Sequence, residues 1–360
     1  MLLLAGCPAP LAPDAKSSPR PEASSGPTAS PSHTTQATHG PGVDAARAKA
    51  KARRAALAAQ RAAGPVIAIS VDGLNPTALT QLGPARLPEF HALIRGGAST
   101  LNARTELEST ETLPNHTGML TGRPVKGPGG HGVAFNEDPG KVTVGSHAGH
   151  TVDSVFDAVH RAGRTTAMYA SKSKFGLYQR SWAGSLDRTV IEEDNDQLVA
   201  RLVADLASNP SDFSFVHLSA PDVAGHANGF MGSAYLQAVE RVDRLLGKIR
   251  DAVAASPELR TQATLIVTAD HGGRGTHGHS VAAKRDDHRV PFVVDGPTAR
   301  AGSDLYALNP DYRDPGTGRP SYDGRQPVRN GDLADLATRL LGLPPVPGSV
   351  FGAHDQLDVR

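Results

Sequence analysis

The sequence predicts an α/β fold with a doubly wound, mostly parallel sheet flanked by helices. Short apolar, β-branched runs alternate with helix-period segments, the pattern of βαβ units joined by right-handed crossovers. The runs are continuously apolar, as in strands that are covered on both faces. The strand candidates are 66–71, 165–170, 213–218, 265–268 and 290–294, and the main helix candidates are 151–161, 195–207 and 233–254.

The first seven residues contain a short lipoprotein-like signal. Leu4-Ala5-Gly6-Cys7 is similar to a bacterial lipobox, which predicts cleavage before a lipid-modified Cys7. The charged region and most of the apolar region that precede a lipobox are missing, so we expect the natural start codon to lie upstream. Cys7 is also the sole cysteine of the sequence, which excludes intramolecular disulfides and cysteine-based metal sites.

Two further segments separate Cys7 from the predicted catalytic domain, which spans 65–360. Residues 8–43 are rich in Pro, Ser, Thr and Ala and have almost no large apolar side chains, so we expect a disordered linker. Residues 44–64 are rich in Ala and Arg and favour a solvated helix or stalk. This organisation predicts an extracellular or cell-surface, lipid-anchored bacterial lipoprotein.

Composition excludes some classes of partner. The formal net charge of the 360 residues is +1, which gives no field that would favour nucleic acid or a membrane surface. No run in the sequence approaches the roughly 20 apolar residues that span a bilayer. We therefore expect a small-molecule substrate, no nucleic acid, and membrane contact only through a lipid at Cys7.

Acidic residues stand at or just after the ends of three strand candidates. They are Asp72, Asp222 and Asp270. The carboxyl ends of parallel strands meet along one edge of a sheet, where α/β proteins place their chemistry. The three carboxylates are therefore expected to converge, although they lie far apart in the sequence.

Histidines accompany two of these aspartates. Asp270 is followed directly by His271 and two glycines, and Asp222 precedes His226 by four residues, a spacing that points two side chains the same way across one helical turn. Oxygen and nitrogen ligands together suit zinc better than calcium or magnesium. Each motif alone is also typical of an ordinary strand end or surface loop.

A third motif surrounds Thr112. Thr is a favoured N-cap and Pro114 is tolerated in a first turn, so a helix is expected to start here with Thr112 as its cap. The free amides and positive dipole end of a helix N-terminus favour a phosphoryl group. Asn115 lies one turn on and can donate its amide to an anionic oxygen. The structural alternative is an ordinary cap with an Asn in the first turn.

These motifs, taken in order, resemble the alkaline phosphatase superfamily and, within it, the type I phosphodiesterase/nucleotide pyrophosphatase family. Any one motif is weak, but four in order with sensible separations are specific, and the resemblance spans nearly all of residues 65 to 297. The segments that carry it are 70–73, 112–116 with 121–122, 221–226 and 268–273.

The resemblance implies a hydrolase with two zinc ions. Asp72, Asp270 and His271 would hold one ion, while Asp222, His226 and a later histidine would hold the other. Thr112 would lie between the metals as nucleophile, and Asn115 would bind a phosphoryl oxygen. Spacing to the Val-Pro-Phe segment at 290–292 favours His279 as the last ligand over His277, with His288 a distant third.

Several neighbouring residues allow two interpretations. Lys172 and Lys174 follow a strand candidate and are substrate-binding candidates, or else a solvated pair of loop charges. His116 is expected to pack or to hydrogen-bond behind the site rather than to bind metal. Tyr178 and Trp182 offer stacking surfaces, but core packing is the favoured interpretation.

The sequence thus predicts a phosphoric ester hydrolase that acts through a phosphothreonine at Thr112, with diester or pyrophosphate substrates first and phosphomonoesters as the alternative. A catalytically silent binding lipoprotein is the alternative from a different class. It is disfavoured because a structural zinc site would need neither Thr112 nor Asn115. Arylsulfatases are disfavoured because they need Cys or Ser at the position of Thr112, and phosphoglycerate mutases because they use Ser.

Overall fold

The computed structural model describes residues 63–276, 278–352 and 356–360. The predicted lipobox, the linker and nearly all of the predicted helix 44–64 lie outside these ranges, as does His277. Of the helices within them, none is both long and apolar enough to cross a membrane.

One sheet of eight strands organises the described residues, and the predicted α/β class with a mostly parallel sheet is confirmed. The strands are β1 Val66–Val71, β2 Ala98–Arg104, β3 Thr166–Ala170, β4 Arg188–Ile191, β5 Phe213–Leu218, β6 Thr264–Thr268, β7 Arg289–Asp295 and β8 Ser303–Asp304. The spatial order is β4-β3-β5-β1-β6-β7-β2-β8. The pairs β4–β3, β3–β5, β5–β1, β1–β6 and β2–β8 are parallel, whereas β7 runs antiparallel to both β6 and β2.

The helices form two packing groups, as a doubly wound sheet requires. The helices are α1 Pro76–Arg86, α2 Pro88–Gly96, α3 Thr112–Thr121, α4 Val144–Ala148, α5 Val155–Arg161, α6 Gly176–Ser181, α7 Asn195–Ser208, α8 Ala220–Asn228, α9 Ser233–Ala255, α10 Pro257–Gln262, α11 Arg285–His288, α12 Leu305–Leu308 and α13 Leu333–Leu340. In one group α9 contacts α1, α2, α7, α8 and α10, and in the other α3, α5 and α13 contact one another. Short 3₁₀ turns cover Ser173–Phe175 and Asn330–Asp332.

The central strands are the apolar runs that the sequence predicts. Every residue of β1, β5 and β6 is buried. Burying a Val, Ile, Leu or Phe side chain contributes about 1.5–3 kcal/mol, so these three strands supply much of the energy of the core. Truncating Ile67, which is fully buried in β1, is expected to cost about 2–5 kcal/mol.

Elements at the sheet periphery differ from the predicted set. Strands β2 and β4 are not predicted because their residues carry few β-branched or aromatic side chains in a recognisable period, and all four residues of β4 are only half-buried. The helix predicted over 151–161 begins later, at Val155, because Ser154 accepts a hydrogen bond from the Asp157 amide and caps the helix.

The parallel register brings the predicted aspartates to one edge. Val71 pairs with Leu218 and Ser70 with Thr268, so β1, β5 and β6 end at nearly the same level. Asp72 continues β1 by donating its amide to the Leu218 carbonyl at 2.9 Å. The residues that follow these three strands therefore lie close together at the carboxyl edge of the sheet.

Candidate metal centre

Asp72, Asp270 and His271 form the first cluster. Their ligand atoms lie within 4.8 Å of one another, and all three side chains are fully buried. The backbone amides of Gly73 and His271 donate to Asp270 Oδ1 at 3.1 and 2.9 Å. These two bonds orient the carboxylate so that Oδ2 is the oxygen that faces the cluster.

Asp222, His226 and His279 form the second cluster, again with ligand atoms within 4.8 Å of one another. Asp222 and His226 lie on α8, where the four-residue spacing brings His226 Nε2 to 3.4 Å from Asp222 Oδ1. His279 comes from the loop after β6, and its Nε2 is 3.0 Å from His226 Nε2. The structure thus groups His279 with the predicted pair.

Backbone carbonyls select the ring nitrogen that each buried histidine presents. His271 Nδ1 lies 2.9 Å from the Gly272 carbonyl, and His279 Nδ1 lies 2.6 Å from the Thr110 carbonyl. A carbonyl only accepts, so Nδ1 carries a proton in both rings, and Nε2 is the nitrogen that faces the cluster. A hydrogen bond of this kind fixes the tautomer and ring orientation of metal-binding histidines.

Four buried atoms of the clusters have no hydrogen-bond partner, and these atoms test whether a metal fits. They are Asp72 Oδ1, Asp222 Oδ1, Asp270 Oδ2 and His271 Nε2. An unpartnered carboxylate oxygen in the protein interior is costly, and a cation compensates that cost. The residues therefore fit two metal ions, each bound by mixed carboxylate oxygen and imidazole nitrogen ligands.

The pKa shifts agree with a cation site. Burial, reinforced by the charge of Asp72, raises the pKa of Asp270 well above its usual range. Burial would also raise the pKa of Asp72, but the charge of Lys172, the hydrogen bond from His217 and the nearby His271 ring hold it well below its usual range. Burial, together with the charge of His271, lowers the pKa of His279 to about 3, which keeps this imidazole in the neutral form that binds metals.

Thr112 is the first residue of α3, and the cap position belongs to Glu111, not to Thr112 as predicted. The Glu111 backbone is extended and its side chain makes no capping hydrogen bond. The helix continues to Gly122, whose left-handed conformation, with φ of 66°, ends it. Thr112 therefore stands inside the first turn, with its backbone oriented by the helix.

His116 links the first turn of α3 to strand β1 by hydrogen bonds. Its Nδ1 lies 2.7 Å from the Thr112 carbonyl and its Nε2 lies 2.9 Å from Ser70 Oγ. His116 is fully buried and belongs to neither cluster. The interpretation of His116 as a residue that hydrogen-bonds behind the site is confirmed.

Lys172 lies between the clusters and Lys174 does not. Lys172 Nζ is 2.6 Å from Asp72 Oδ2, 2.7 Å from Asp222 Oδ2 and 3.5 Å from Thr112 Oγ1. The aspartates use Oδ2 for Lys172 and leave Oδ1 unpartnered, so one ammonium group bridges the two clusters. Lys174 instead donates to the Asn136 carbonyl at 2.5 Å and to Glu137 at 2.9 Å.

Asn115 is engaged by the loop that precedes α3. Its amide nitrogen donates to the carbonyls of Ser109 and Glu111 at 2.9 and 3.1 Å. Its oxygen accepts from the Glu106 amide at 3.0 Å and from Asn330 Nδ2 at 3.1 Å. Both amide hydrogens thus have backbone acceptors, and the phosphoryl contact expected of Asn115 stays a prediction.

Asn136 is a second amide at the same helix end, and the sequence interpretation missed it. Its oxygen accepts from the Leu113 amide at 3.0 Å, and its nitrogen donates to Glu111 Oε2 at 2.7 Å. A side-chain carboxylate is its acceptor here, so this amide faces an anionic group beside Thr112. Asn136 lies in a Gly-rich segment with no periodic pattern, which gave no signal of its position.

His217 is another residue that the sequence interpretation missed. It lies inside β5 and its Nε2 is 2.9 Å from Asp72 Oδ2, while its Nδ1 accepts from the Ser171 amide at 3.3 Å. The Ser171 contact makes Nε2 the donor, so His217 orients the carboxylate of Asp72. The available signal was a histidine within a mostly apolar strand candidate.

The remaining candidates lie outside the clusters. Tyr178 and Trp182 are buried and stack on each other with ring centroids 5.4 Å apart, which confirms the core-packing interpretation. His288 is buried on α11, its Nδ1 lies 3.0 Å from the Ala282 carbonyl, and it belongs to neither cluster. His277 lies outside the described residues.

A doubly wound sheet with two Asp/His clusters at its carboxyl edge is the architecture of the alkaline phosphatase superfamily of metal-dependent hydrolases. Within that class the chain belongs to the type I phosphodiesterase/nucleotide pyrophosphatase family, whose model matches residues 66–320. The matched range includes every residue of both clusters.

Curated relatives match part of the chain. Ectonucleotide pyrophosphatase/phosphodiesterase family member 1 of Mus musculus is 26% identical over 226 residues, which cover 58% of this chain and 24% of the relative. A 2,3-bisphosphoglycerate-independent phosphoglycerate mutase of Gluconobacter oxydans is 30% identical over 147 residues, 41% of this chain and 23% of the relative. The chain thus spans about a quarter of the length of these relatives.

Solved structures share the fold. An inactive variant of murine ectonucleotide pyrophosphatase/phosphodiesterase 5, in complex with AMP, superposes with a TM-score of 0.62 at 16% identity and covers 82% of this chain and 99% of that one. The human protein of the same name superposes with a TM-score of 0.58 at 15% identity, covering 81% of this chain and 99% of that one. At such identities the likeness concerns the fold.

Proposed function

We propose that this protein is a phosphoric ester hydrolase with two zinc ions, acting through a phosphothreonine at Thr112 on phosphodiester or pyrophosphate bonds. The observation that carries the proposal is the location of Thr112. Its hydroxyl lies 3.5 Å from Lys172 Nζ, and that ammonium group contacts one aspartate of each cluster. A nucleophile beside two ligand clusters is the arrangement that in-line phosphoryl transfer needs.

The metal ions would be held by the two clusters, three protein ligands each. Zinc bound there would supply Lewis acidity, which lowers the pKa of a hydroxyl and neutralises charge on phosphoryl oxygens. Three protein ligands per ion leave a position open for substrate, as in catalytic rather than structural zinc sites.

Residues of the protein itself orient the reacting groups. His116 fixes the Thr112 carbonyl at 2.7 Å, which holds the first turn of α3 in place. The positive end of the α3 dipole and the amide of Asn136, or of Asn115 if the loop releases it, favour the anionic phosphoryl group. The Thr112 hydroxyl loses its proton to solvent as its oxygen attacks phosphorus, and the ester oxygen leaves and takes up a proton from solvent. Water then cleaves the phosphothreonine, which restores the Thr112 hydroxyl and releases the phosphate product.

Replacing the nucleophile tests the mechanism. Thr112→Ala should reduce turnover of bis(p-nitrophenyl) phosphate by about 10⁴-fold or more while keeping two equivalents of bound zinc. Thr112→Ser is the matched control, since it keeps a hydroxyl on the same helix turn. Unchanged turnover in Thr112→Ala would exclude Thr112 as nucleophile, and absence of turnover in the native protein would favour a silent binding protein.

Phosphomonoester hydrolysis is a second candidate function, and Lys172 is the observation that favours it. A monoester carries one more negative charge than a diester, and Lys172 provides an additional cation 3.5 Å from the Thr112 hydroxyl. Comparing kcat/KM for p-nitrophenyl phosphate and bis(p-nitrophenyl) phosphate decides between the two. A clear preference for the monoester would replace our first choice.

Nucleotide-like compounds are the substrates to examine first. Two relatives are named ectonucleotide pyrophosphatase/phosphodiesterases, and one solved structure of that group is a complex with AMP. A panel of dinucleoside polyphosphates, nucleoside triphosphates and p-nitrophenyl-TMP, with AMP as competitive inhibitor, measures this preference. Equal turnover of simple alkyl diesters and nucleotides would argue against a nucleotide site.

The cell surface is the proposed location. The lipobox-like Leu4-Ala5-Gly6-Cys7 and the Pro/Ser/Thr/Ala-rich segment after it support a lipid anchor followed by a tether. Membrane fractionation of bacteria that produce the native protein or its Cys7→Ser variant tests this. The serine variant should leave the membrane fraction.

A further inference from the structure

The ring of Phe230 lies directly under the second cluster. Phe230 is 2% exposed, and its ring meets that of His226 edge-on at a centroid distance of 5.4 Å and that of His279 at 5.8 Å. The interplanar angles of 81° and 71° are those of edge-to-face aromatic pairs. His226 and His279 therefore share one apolar support, although they come from different parts of the chain.

Three glycines make room for this ring, and each is close in sequence to a cluster residue. A β-carbon at Gly225 would lie 2.7 Å from three ring atoms of Phe230, and one at Gly73 would lie 3.1 Å from the ring. A β-carbon at Gly273 would also overlap the ring. The packing of Phe230 thus requires glycine at positions 225 and 273 and favours it at position 73.

The backbone of Phe230 fixes the loop that carries His279. Its amide donates to the Gly275 carbonyl at 3.0 Å, and its carbonyl accepts from the Gly275 amide at 2.9 Å. This antiparallel bridge joins the end of α8 to the segment four residues before His279. Residue 230 therefore holds the second cluster by its ring and by its main chain.

The connection from α8 to α9 has an unusual backbone conformation on both sides of Phe230. Met231 has φ of 66°, and it is the one non-glycine residue with positive φ among the residues the structure describes. A left-handed conformation costs an L-residue free energy, so packing on either side must maintain it. Gly229, with φ of 87°, ends α8 just before the ring turns inward.

We propose that Phe230 is a positioning residue for the metal in the second cluster: it sets the separation and orientation of His226 and His279, and so determines how tightly that ion is held. The proposal rests on the proposed function only in requiring that Asp222, His226 and His279 bind a divalent ion. It assigns no contact between Phe230 and substrate.

Zinc titration of chelator-stripped full-length protein tests the proposal. Phe230→Leu keeps an apolar side chain but removes the ring. It should lower the affinity for one of the two zinc ions by about 10–100-fold, the range for residues that orient metal ligands. The other ion should bind as in the native protein. In a His226→Ala background the same change should cause no further loss of bound zinc, because that cluster has already lost a ligand.

Phe156→Leu is the matched control. Phe156 is fully buried and packs on Trp182 and Phe213, away from both clusters. Equal zinc titrations for Phe230→Leu and Phe156→Leu would overturn the proposal, because Phe230 would then serve general packing alone. If Phe230→Leu does not fold, Phe230→Met provides the same comparison. A native protein that binds no divalent ion would instead refute the proposed function.

Discussion

Thr110 and His279 bind each other through two hydrogen bonds. The Thr110 hydroxyl donates to the His279 carbonyl, and His279 Nδ1 donates to the Thr110 carbonyl at 2.6 Å. Thr110 precedes the nucleophile candidate by two residues, whereas His279 belongs to the second cluster. This reciprocal pair therefore ties the start of α3 to a candidate metal ligand 169 residues away.

His279→Ala should remove one of the two zinc ions. The second cluster would keep only Asp222 and His226, and two protein ligands hold zinc poorly. Metal analysis after dialysis should show about one equivalent instead of two, and turnover should fall with the lost ion. His288→Ala is the control, since His288 is buried in the neighbouring segment but lies outside both clusters. Two equivalents in His279→Ala would reassign the last ligand.

The roles of Asn136 and Asn115 can be distinguished by aspartate substitutions, which keep an acceptor oxygen and remove the amide donor. Asn136→Asp should lower kcat by about 10²–10³-fold, the usual cost of losing a donor to a developing oxyanion. Asn115→Asp should mainly lower thermal stability, because the Asn115 amide donates to two backbone carbonyls of its own loop. The opposite result, with kcat lost in Asn115→Asp alone, would support the role first expected for Asn115.

Asn115, which the sequence predicted, and Asn136, which it did not, show which site residues could be predicted from the sequence. The three aspartates, His226 and His271 were candidates because local rules mark them: a strand end, a four-residue helical spacing or a motif after a strand. Their grouping and the choice of His279 came from the resemblance to the family. Asn136 and Phe230 act through neighbours distant in sequence, and no local pattern marks such contacts. His217 was marked only by its position in a mostly apolar strand, which does not reveal its contact with Asp72. The same holds for strands β2 and β4, which are defined by their sheet partners more than by their own composition.

Asp332 should make the fold less stable as pH rises. Burial raises the pKa of Asp332 to about 7. Below about pH 4 the carboxyl is protonated in both states and contributes no difference. Between pH 4 and 7 the unfolded chain ionises first, so each step upward in pH favours unfolding, and the full penalty is reached above pH 7.

Asp332→Asn isolates this effect. The amide keeps an acceptor for the Arg329 backbone amide, which lies 2.7 Å from Asp332 Oδ2, and it removes the titrating group. The difference in melting temperature, variant minus native, should grow from near zero at pH 4 to several degrees at pH 7. A difference that is constant across this range would mean that Asp332 ionises normally in the folded protein.

Gly229→Ala should destabilise the helix that carries Asp222 and His226. Gly229 ends α8 with φ of 87°, and a β-carbon there would have only ordinary contacts, the nearest at 3.7 Å, so the backbone conformation alone opposes substitution. Alanine in this sparsely populated region, with positive φ and ψ of 130°, costs about 1–3 kcal/mol of unfolding free energy. Gly184→Ala is the matched control: nothing lies within 4 Å of its β-carbon, and its φ is not in the left-handed range. That variant should be neutral or gain up to about 1 kcal/mol, since alanine restricts the unfolded chain. Equal denaturation midpoints for the two variants would show that the α8 terminus relaxes around the new side chain.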